Sequence, residues 1–253
     1  LTVALLSKSD LSIFNKRTLN YKLADAEKDY LLAIISKMIY DSKLRNRLVF
    51  KGGTAIHHCH LPQSRFSEDL DFTSLDKSMT LEEVKAIFEP FNFLEVKKDY
   101  VSKATIKIER LKYTGPLGLP NSLKVEIDFI QNVCLPAKTV AYKNAWNIKT
   151  KVKVMDIREI CAEKIRAASD RARFRDFYDL VMLFNSIKFD LKEIVELMKQ
   201  KEIRGPITQE SIAKNWKTAK KEKQAELSMI YYAKPISDVM VEETIKKLKI
   251  KVS

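Results

Sequence analysis

The residues with the clearest chemical potential are Asp69 and Asp71, within Arg65-Phe66-Ser67-Glu68-Asp69-Leu70-Asp71-Phe72. On a β-strand, residues two apart point to the same face. Both carboxylates can therefore ligate one hard cation, or two neighbouring ones, while Leu70 and Phe72 anchor the opposite face. Magnesium favours such oxygen ligands and completes its shell with substrate phosphates and water. Upstream, Phe50-Lys51-Gly52-Gly53-Thr54 sets two of the chain's 5 glycines beside a lysine and a hydroxyl. Gly52 and Gly53 let a phosphate approach the backbone closely. The N-terminus of a following helix would turn free N–H groups toward it, and Thr54 adds a hydroxyl donor. The stretch is not a Walker A loop, because no Gly-Lys-Ser/Thr follows at the right spacing. Taken singly, Asp-x-Asp could equally be a solvated strand end, and Gly-Gly-Thr a plain strand-to-helix turn.

Further residues could complete such a site. Asp128 ends an alternating run whose polar face also carries Lys124 and Glu126. It is either a third carboxylate, serving a second metal or the incoming hydroxyl, or an exposed strand residue. Ile157, Ile160, Cys161, Lys164 and Ala168 recur at helical spacing, which sets Lys164 on an apolar stripe. A lysine there either meets an anion, such as a triphosphate, or snorkels to solvent. Arg173-Phe174-Arg175-Asp176-Phe177-Tyr178-Asp179 places Asp176 and Asp179 on one helix face. They could fix Lys164, or reach a nucleotide through Arg175, or form a surface ion-pair network. His57, His58, Cys59 and His60 are consecutive, so on a helix they diverge, and no second Cys/His cluster completes a zinc site. Helix packing and surface exposure are the expected roles for them.

The elements that must position these groups are readable in outline. Residues 24–42 predict a helix, and Leu48-Val49-Phe50 a strand running into the glycines. A helix over 54–60 ends at Leu61-Pro62, and 70–73 forms a second strand. Thr80-Leu81-Glu82-Glu83 has the form of a capping box opening a helix that stops before Pro90. Alternation over 105–113 and 122–130 predicts a hairpin whose loop holds Gly115, Pro116, Gly118, Pro120 and Asn121. From Asp156 onward the pattern is helical to the end, with Gly205-Pro206 as its clearest break. Strands first and helices after them predict an α+β domain followed by a helical one.

Composition sets the outer bounds. The chain has 253 residues, 45% hydrophobic and 31% charged, as expected of a globular protein with a real core. No apolar run reaches the roughly 18 residues of a membrane span. The apolar start Leu1-Thr2-Val3-Ala4-Leu5-Leu6 lacks the marks of a signal peptide. Its 3 cysteines, Cys59, Cys134 and Cys161, are widely spaced, which argues for a reducing cytoplasm. A formal charge of +13 favours a polyanionic partner such as nucleic acid, or reflects lysine used as a general solubiliser.

Together these segments resemble the AbiEii toxin family of type IV toxin–antitoxin and abortive-infection systems. The resemblance rests on Ala26-Glu27-Lys28-Asp29-Tyr30, on the segments around Gly52-Gly53-Thr54 and Asp69-Leu70-Asp71, on Glu159-Ile160-Cys161-Ala162-Glu163-Lys164, and on the Arg173–Asp179 cluster, in that order. The family looks like a branch of the DNA polymerase β-type nucleotidyltransferases. The resemblance implies an α+β fold: a mixed nucleotidyltransferase sheet flanked by helices, then a C-terminal helical bundle. The corresponding domains are a nucleotidyltransferase domain over 1–189 and a helical domain over 190–253. It implies Asp69, Asp71, Lys164, Asp176 and Asp128 as catalytic residues. Gly52, Gly53, Thr54, Lys51 and Arg175 would hold the nucleotide, and Asp69, Asp71 and Asp128 the metal. Mg2+, with Mn2+ as substitute, would be the cofactor and an NTP the substrate. RNA, in particular the tRNA 3′ end, would be the acceptor, and a cognate antitoxin a partner. Lys214, Lys217, Lys220, Lys221 and Lys223 could supply an RNA-contacting face or be a solvated helix face. Two rival readings are a phosphotransferase acting on protein or nucleotide, which lacks kinase motifs here, and a non-catalytic nucleic-acid- or antitoxin-binding module.

Overall fold

The computed structural model of the chain describes residues 4–201 and 205–252. Leu1, Thr2 and Val3 of the apolar start lie outside the described residues, as do residues 202–204 and 253 of the stretch expected to be helical. The described residues form two compact units.

The first unit comprises residues 4–62, 66–130 and 137–154. It begins with α1 (Lys8–Arg17), which the sequence reading does not include, and α2 (Leu23–Asp41), the helix expected over 24–42. Leu31, Leu32 and Ile35 of α2 are fully buried against the sheet. Strand β1 (Leu48–Lys51) is buried along its length and ends at α3 (Gly52–Ala55). That helix widens into a π turn over Ile56–His60, closed by a 2.8 Å bond from Leu61 N–H to the Ile56 carbonyl. Strand β2 (Asp69–Ser74) follows, then α4 (Leu81–Lys85). The capping box at Thr80 and Glu83 is present, although α4 is shorter than expected. The remaining strands are β3 (Leu94–Val101), β4 (Thr105–Thr114), β5 (Pro120–Asp128), β6 (Lys138–Ala141) and β7 (Lys151–Val154).

Among the described residues these strands make one seven-stranded sheet in the order β3-β4-β5-β2-β1-β7-β6. It is mixed: β2 runs parallel to β5 and β1 parallel to β7, while the other neighbours are antiparallel. The expected hairpin is β4–β5, with Ile106 opposite Ile127 and Ile108 opposite Val125. Pro120 and Asn121, expected in its loop, instead open β5 by pairing with Thr114 and Tyr113. Strands β3, β6 and β7 go unsignalled in the sequence reading. A register shift after Val96 breaks the alternation of β3, and β6 and β7 are only 4 residues each.

Within the histidine cluster, His57, His58 and Cys59 are buried and His60 is partly exposed. His58 is fully buried; its Nδ1 donates to the Lys143 carbonyl (2.8 Å), and the Lys143 N–H donates back to the His58 carbonyl (2.8 Å). The ring stacks on Tyr142 at 4.5 Å, and Nε2 faces the buried Asp29 carboxylate at 3.6 Å. Asp29 in turn accepts from Trp146 Nε1 (2.7 Å). Among the described residues no group of three or more His, Cys, Asp and Glu is arranged to hold a metal.

The second unit comprises residues 63–65 and 131–136 with the described residues from 155 onward. Its helices are α5 (Ile157–Asp170), capped by the Asp156 side chain, α6 (Phe174–Ser186), α7 (Leu191–Lys199), α8 (Gln209–Met229) and α9 (Asp238–Lys247). The stretch is not helical throughout. After the Gly205-Pro206 break, β8 (Ile207–Thr208) pairs antiparallel with β9 (Lys251–Val252). Trp216 of α8 packs on Phe177 and Phe174 of α6, with ring centroids 5.3 and 6.3 Å away. Glu159 is wholly buried, and its carboxylate accepts from the Cys134 N–H (2.8 Å), the Leu135 N–H (3.2 Å) and Lys201 Nζ (2.7 Å). That clasp ties segment 131–136 to α5. Compactness thus divides the chain after Val154, whereas the sequence reading divides it after residue 189. The reason is that α5 and α6 pack on α7, α8 and α9.

Candidate active site

In the first unit, the chemistry gathers on β2. Leu70 and Phe72 are fully buried, and Asp69 and Asp71 share the opposite, partly solvent-accessible face. The strand is held in place from α3. The Thr54 hydroxyl donates to the Asp69 carbonyl (2.5 Å) and lies 2.9 Å from the Ser67 hydroxyl. A hydroxyl has one proton to give, so Ser67 donates to Thr54 and Thr54 to Asp69. Thr54 is buried, and in this arrangement it braces the strand. Gly52 sits at φ +78°, and a Cβ there would lie 2.5 Å from Asp71 Oδ2. Only glycine combines that dihedral with so close an approach of backbone to carboxylate.

Register lines up the charges around the pair. Lys51 on β1 is opposite Asp71, which is level with Glu126 on β5, while Asp69 is level with Lys124. Burial, followed by the neighbouring Asp69 and Glu126 carboxylates, pushes the Asp71 carboxyl up to about 6, despite the opposing pull of Lys124 and Lys51. Glu126 is claimed by Lys124 (2.5 Å) and Lys107 (3.1 Å), which outweigh its burial and hold it below the usual range. Asp128 is one step further along, level with Thr73, and it pairs with Lys51 Nζ at 2.9 Å while also accepting from the Ile130 N–H (2.8 Å). Asp128 is thus placed to orient Lys51.

The second unit holds a buried charge network around α5 and α6. Lys164 Nζ lies 3.2 Å from Asp176 Oδ1 and 2.7 Å from Asp179 Oδ2, and both aspartates are fully buried. Asp176 also accepts from Arg171 Nε (2.8 Å), and Asp179 takes a two-pronged bond from Arg65 (2.7 and 2.8 Å). Burial alone would raise the Asp176 carboxyl. Lys164 and Arg171 outweigh it and hold the group below the usual carboxylate range. Three cations, Lys164, Arg171 and Arg65, thus contact the two carboxylates. At the start of α6 the Phe174 and Arg175 N–H groups donate to Glu226 of α8 (3.1 and 2.7 Å). The half-buried Arg175 side chain makes no ion pair among the described residues.

The structure thus brings Lys51, Gly52, Asp69 and Asp71 together in one unit, and Lys164 with Asp176 in the other. Arg65, Arg171 and Ser67 are additions. Arg65 is 114 positions from its partner Asp179, and no local pattern announces that pairing, whereas Arg171 is only 5 positions from Asp176. Glu126 and Lys124 were visible as neighbours of Asp128. Only the β2–β5 register singles them out as the residues level with Asp71 and Asp69.

A mixed sheet carrying this carboxylate pair, with helices around it, is the architecture of nucleotidyltransferases, and the comparisons agree. A sequence model described as the nucleotidyl transferase AbiEii toxin of type IV toxin–antitoxin systems matches residues 33–247, so the chain belongs to the AbiEii family of nucleotidyltransferase toxins. It is similar in fold to MenT4, a nucleotidyltransferase toxin of Mycobacterium tuberculosis, with a TM-score of 0.62 at 20% identity over 97% of this chain and 100% of that one. A protein from H. pylori described as a nucleotidyltransferase matches with a TM-score of 0.55 at 21% identity, over 90% of this chain and 97% of that one. No curated protein shows significant sequence similarity to the chain. Among the described residues no helix is long and apolar enough to cross a membrane.

Proposed function

We propose that this nucleotidyltransferase uses Mg2+, replaceable by Mn2+, to transfer a nucleotide from an NTP to an RNA acceptor, the 3′ end of a tRNA. The observation that carries the metal requirement is the pair Asp69 and Asp71 on one strand face, with Asp71 raised to about 6 by burial and then by the neighbouring Asp69 and Glu126 carboxylates. Two oxygen donors on one face, each repelling the other, are a donor set that a hard divalent cation relieves. Asp69 and Asp71 would hold it. When bound, such an ion screens the phosphates and eases ionisation of the attacking hydroxyl.

The rest of the chemistry falls to the chain's own groups. The backbone at Gly52 and Gly53 admits the triphosphate. Lys51, held by Asp128, and Arg175 offset phosphate charge. We assign Lys164 to the charge that builds up as pyrophosphate leaves. Asp176 positions Lys164. In this functional sense the nucleotidyltransferase domain runs over 1–189, because it must include Lys164 and Asp176. Rate enhancement by such a site is mostly positioning and electrostatics. Membership of a type IV system makes a cognate antitoxin the expected protein partner, and the cytoplasm the expected location.

Incubation of the protein with Mg2+, total RNA and each α-labelled NTP in turn tests the reading. Label should enter RNA of tRNA size with the parent protein and not with Asp69→Asn. Absence of label with every NTP would overturn it.

A further inference from the structure

The edge of the sheet at β7 and β6 carries a second feature, remote in register from the carboxylate strand. A cavity of about 840 Å³ opens there, between the turn after α2 and the β6–β7 connection, and its lining includes Arg45, Lys143, Lys149, Lys151 and Lys153. None of these five forms an ion pair among the described residues, and all but Lys153 are exposed. The single carboxylate in the lining, Asp41, is taken by Lys37 at 2.6 Å. Elsewhere, lysines such as Lys28, Lys85, Lys107, Lys220 and Lys223 are paired with carboxylates. Five basic side chains without an ion-pair partner among the described residues thus gather around one concavity.

The wall that bears these lysines is built to hold still. Asn144 spans its own loop, donating to the Tyr142 and Ile148 carbonyls (3.1 and 2.8 Å) and accepting from the Trp146 and Ile148 N–H groups (3.0 and 3.1 Å). Trp146 is buried on Asp29, and Lys143 is bound at both main-chain groups to His58. The backbone is ordered from within while the lysine side chains are left outward, so a ligand would not have to order the loop. The cavity has charge and hydrogen-bond donors but no exposed large apolar side chain. Protein interfaces centre on apolar and aromatic anchors, whereas phosphodiester backbones are met by Lys, Arg and polar donors.

We propose that this cavity docks the phosphodiester backbone of the RNA acceptor. The proposal rests on the reading of RNA as acceptor and adds where the chain grips it. The other basic face considered, on α8, differs in that Lys220 and Lys223 are occupied by Asp238 and Glu242, while Lys214, Lys217 and Lys221 form no ion pair among the described residues.

The test is fluorescence anisotropy of the full chain with a labelled single-stranded RNA of about 20 nucleotides over a series of salt concentrations. The parent is compared with Lys143→Gln/Lys149→Gln/Lys151→Gln and, as a control of equal charge change, Lys214→Gln/Lys217→Gln/Lys221→Gln on α8. Binding of a fluorescent NTP and circular dichroism report on an intact fold. The cavity variant should bind RNA about tenfold more weakly, and its log–log salt slope should shrink by about 2, at roughly 0.7 per lost contact. The α8 variant and NTP binding should change little. Equal losses in both variants, or none in the cavity variant, would overturn the proposal while leaving RNA labelling by the parent intact. So would a matching loss of binding to a poly-glutamate peptide, which would mark an acidic protein as the occupant. Failure of the parent both to bind and to label RNA would overturn the acceptor reading as well.

Discussion

Gly52 and Asp71 are fitted to one another: the glycine's left-handed backbone leaves the space that the Asp71 carboxylate fills, where a Cβ would stand 2.5 Å from Oδ2. Gly52→Ala should therefore cost about 1–2 kcal/mol for the dihedral alone and displace Asp71 as well. We expect a lower melting temperature and loss of divalent-cation binding together, read by thermal unfolding and by titration with Mn2+. Cation binding at parental affinity would show that the close approach is incidental.

The raised Asp71 carboxyl predicts a pH dependence. The unfolded carboxyl loses its proton near 3.8 and the folded one near 6, so between those values the folded state binds more protons. This group's contribution favours folding most at acid pH and declines as pH rises through about 4 to 6. Asp71→Asn should remove that decline and raise the melting temperature of the metal-free protein above pH 6. Cation affinity has the opposite sense, because the ligand must be ionised. It should fall about tenfold from pH 7.5 to pH 5. A flat binding profile would contradict the assignment of Asp71 as a ligand.

Arg65 and Asp179 should matter for stability. Both are buried, and Arg65→Met would take from Asp179 its two-pronged guanidinium bond while Lys164 stays at 2.7 Å. Breaking a buried pair from one side costs about 3–5 kcal/mol, which for a chain of this size lowers the melting temperature by roughly 10 °C. A shift below about 2 °C in a thermal melt would count against the network as described.

Lys164→Met should behave differently. It leaves Asp176 with Arg171 and Asp179 with Arg65, so each carboxylate keeps a guanidinium partner. We expect a folded protein whose transfer rate drops about 100-fold or more, the scale of losing one charge-stabilising donor, with Lys164→Arg restoring part of it. Unfolding in place of inactivity would reassign Lys164 to structure.

Glu226→Ala should loosen the start of α6 by about 1 kcal/mol, since it receives the Phe174 and Arg175 N–H groups. If Arg175 contacts the nucleotide, KM for the NTP should rise while kcat changes less. An unchanged KM would remove Arg175 from the nucleotide site.

How much of this was legible depends on whether the information is local. Asp69 and Asp71 declare their shared face through the two-residue period and the apolar Leu70 and Phe72 between them. Lys164 declares its burial through the helical period. The β4–β5 hairpin is readable because its alternation is sustained, whereas β6 and β7 are too short for a period to show. Asp128 drew attention as a carboxylate on the right face. The parallel β2–β5 register, which no local pattern encodes, sets it level with Thr73 and brings Glu126 level with Asp71. Arg65 sat in plain view beside the Asp-x-Asp run, yet its partner is decided by folding.

The chain leaves its first unit at residue 63 to deliver Arg65 to the second, and again at 131 to deliver the segment that Glu159 clasps, before it departs for good after Val154. Those two detours resemble stitches. A cut at 154 would strand Asp179 without its guanidinium and Glu159 without the two amides it binds, so the helical half is not a detachable cassette. Grafting it onto a relative, or expressing it alone, should yield an unstable product unless Arg65 and the 131–136 strip travel with it.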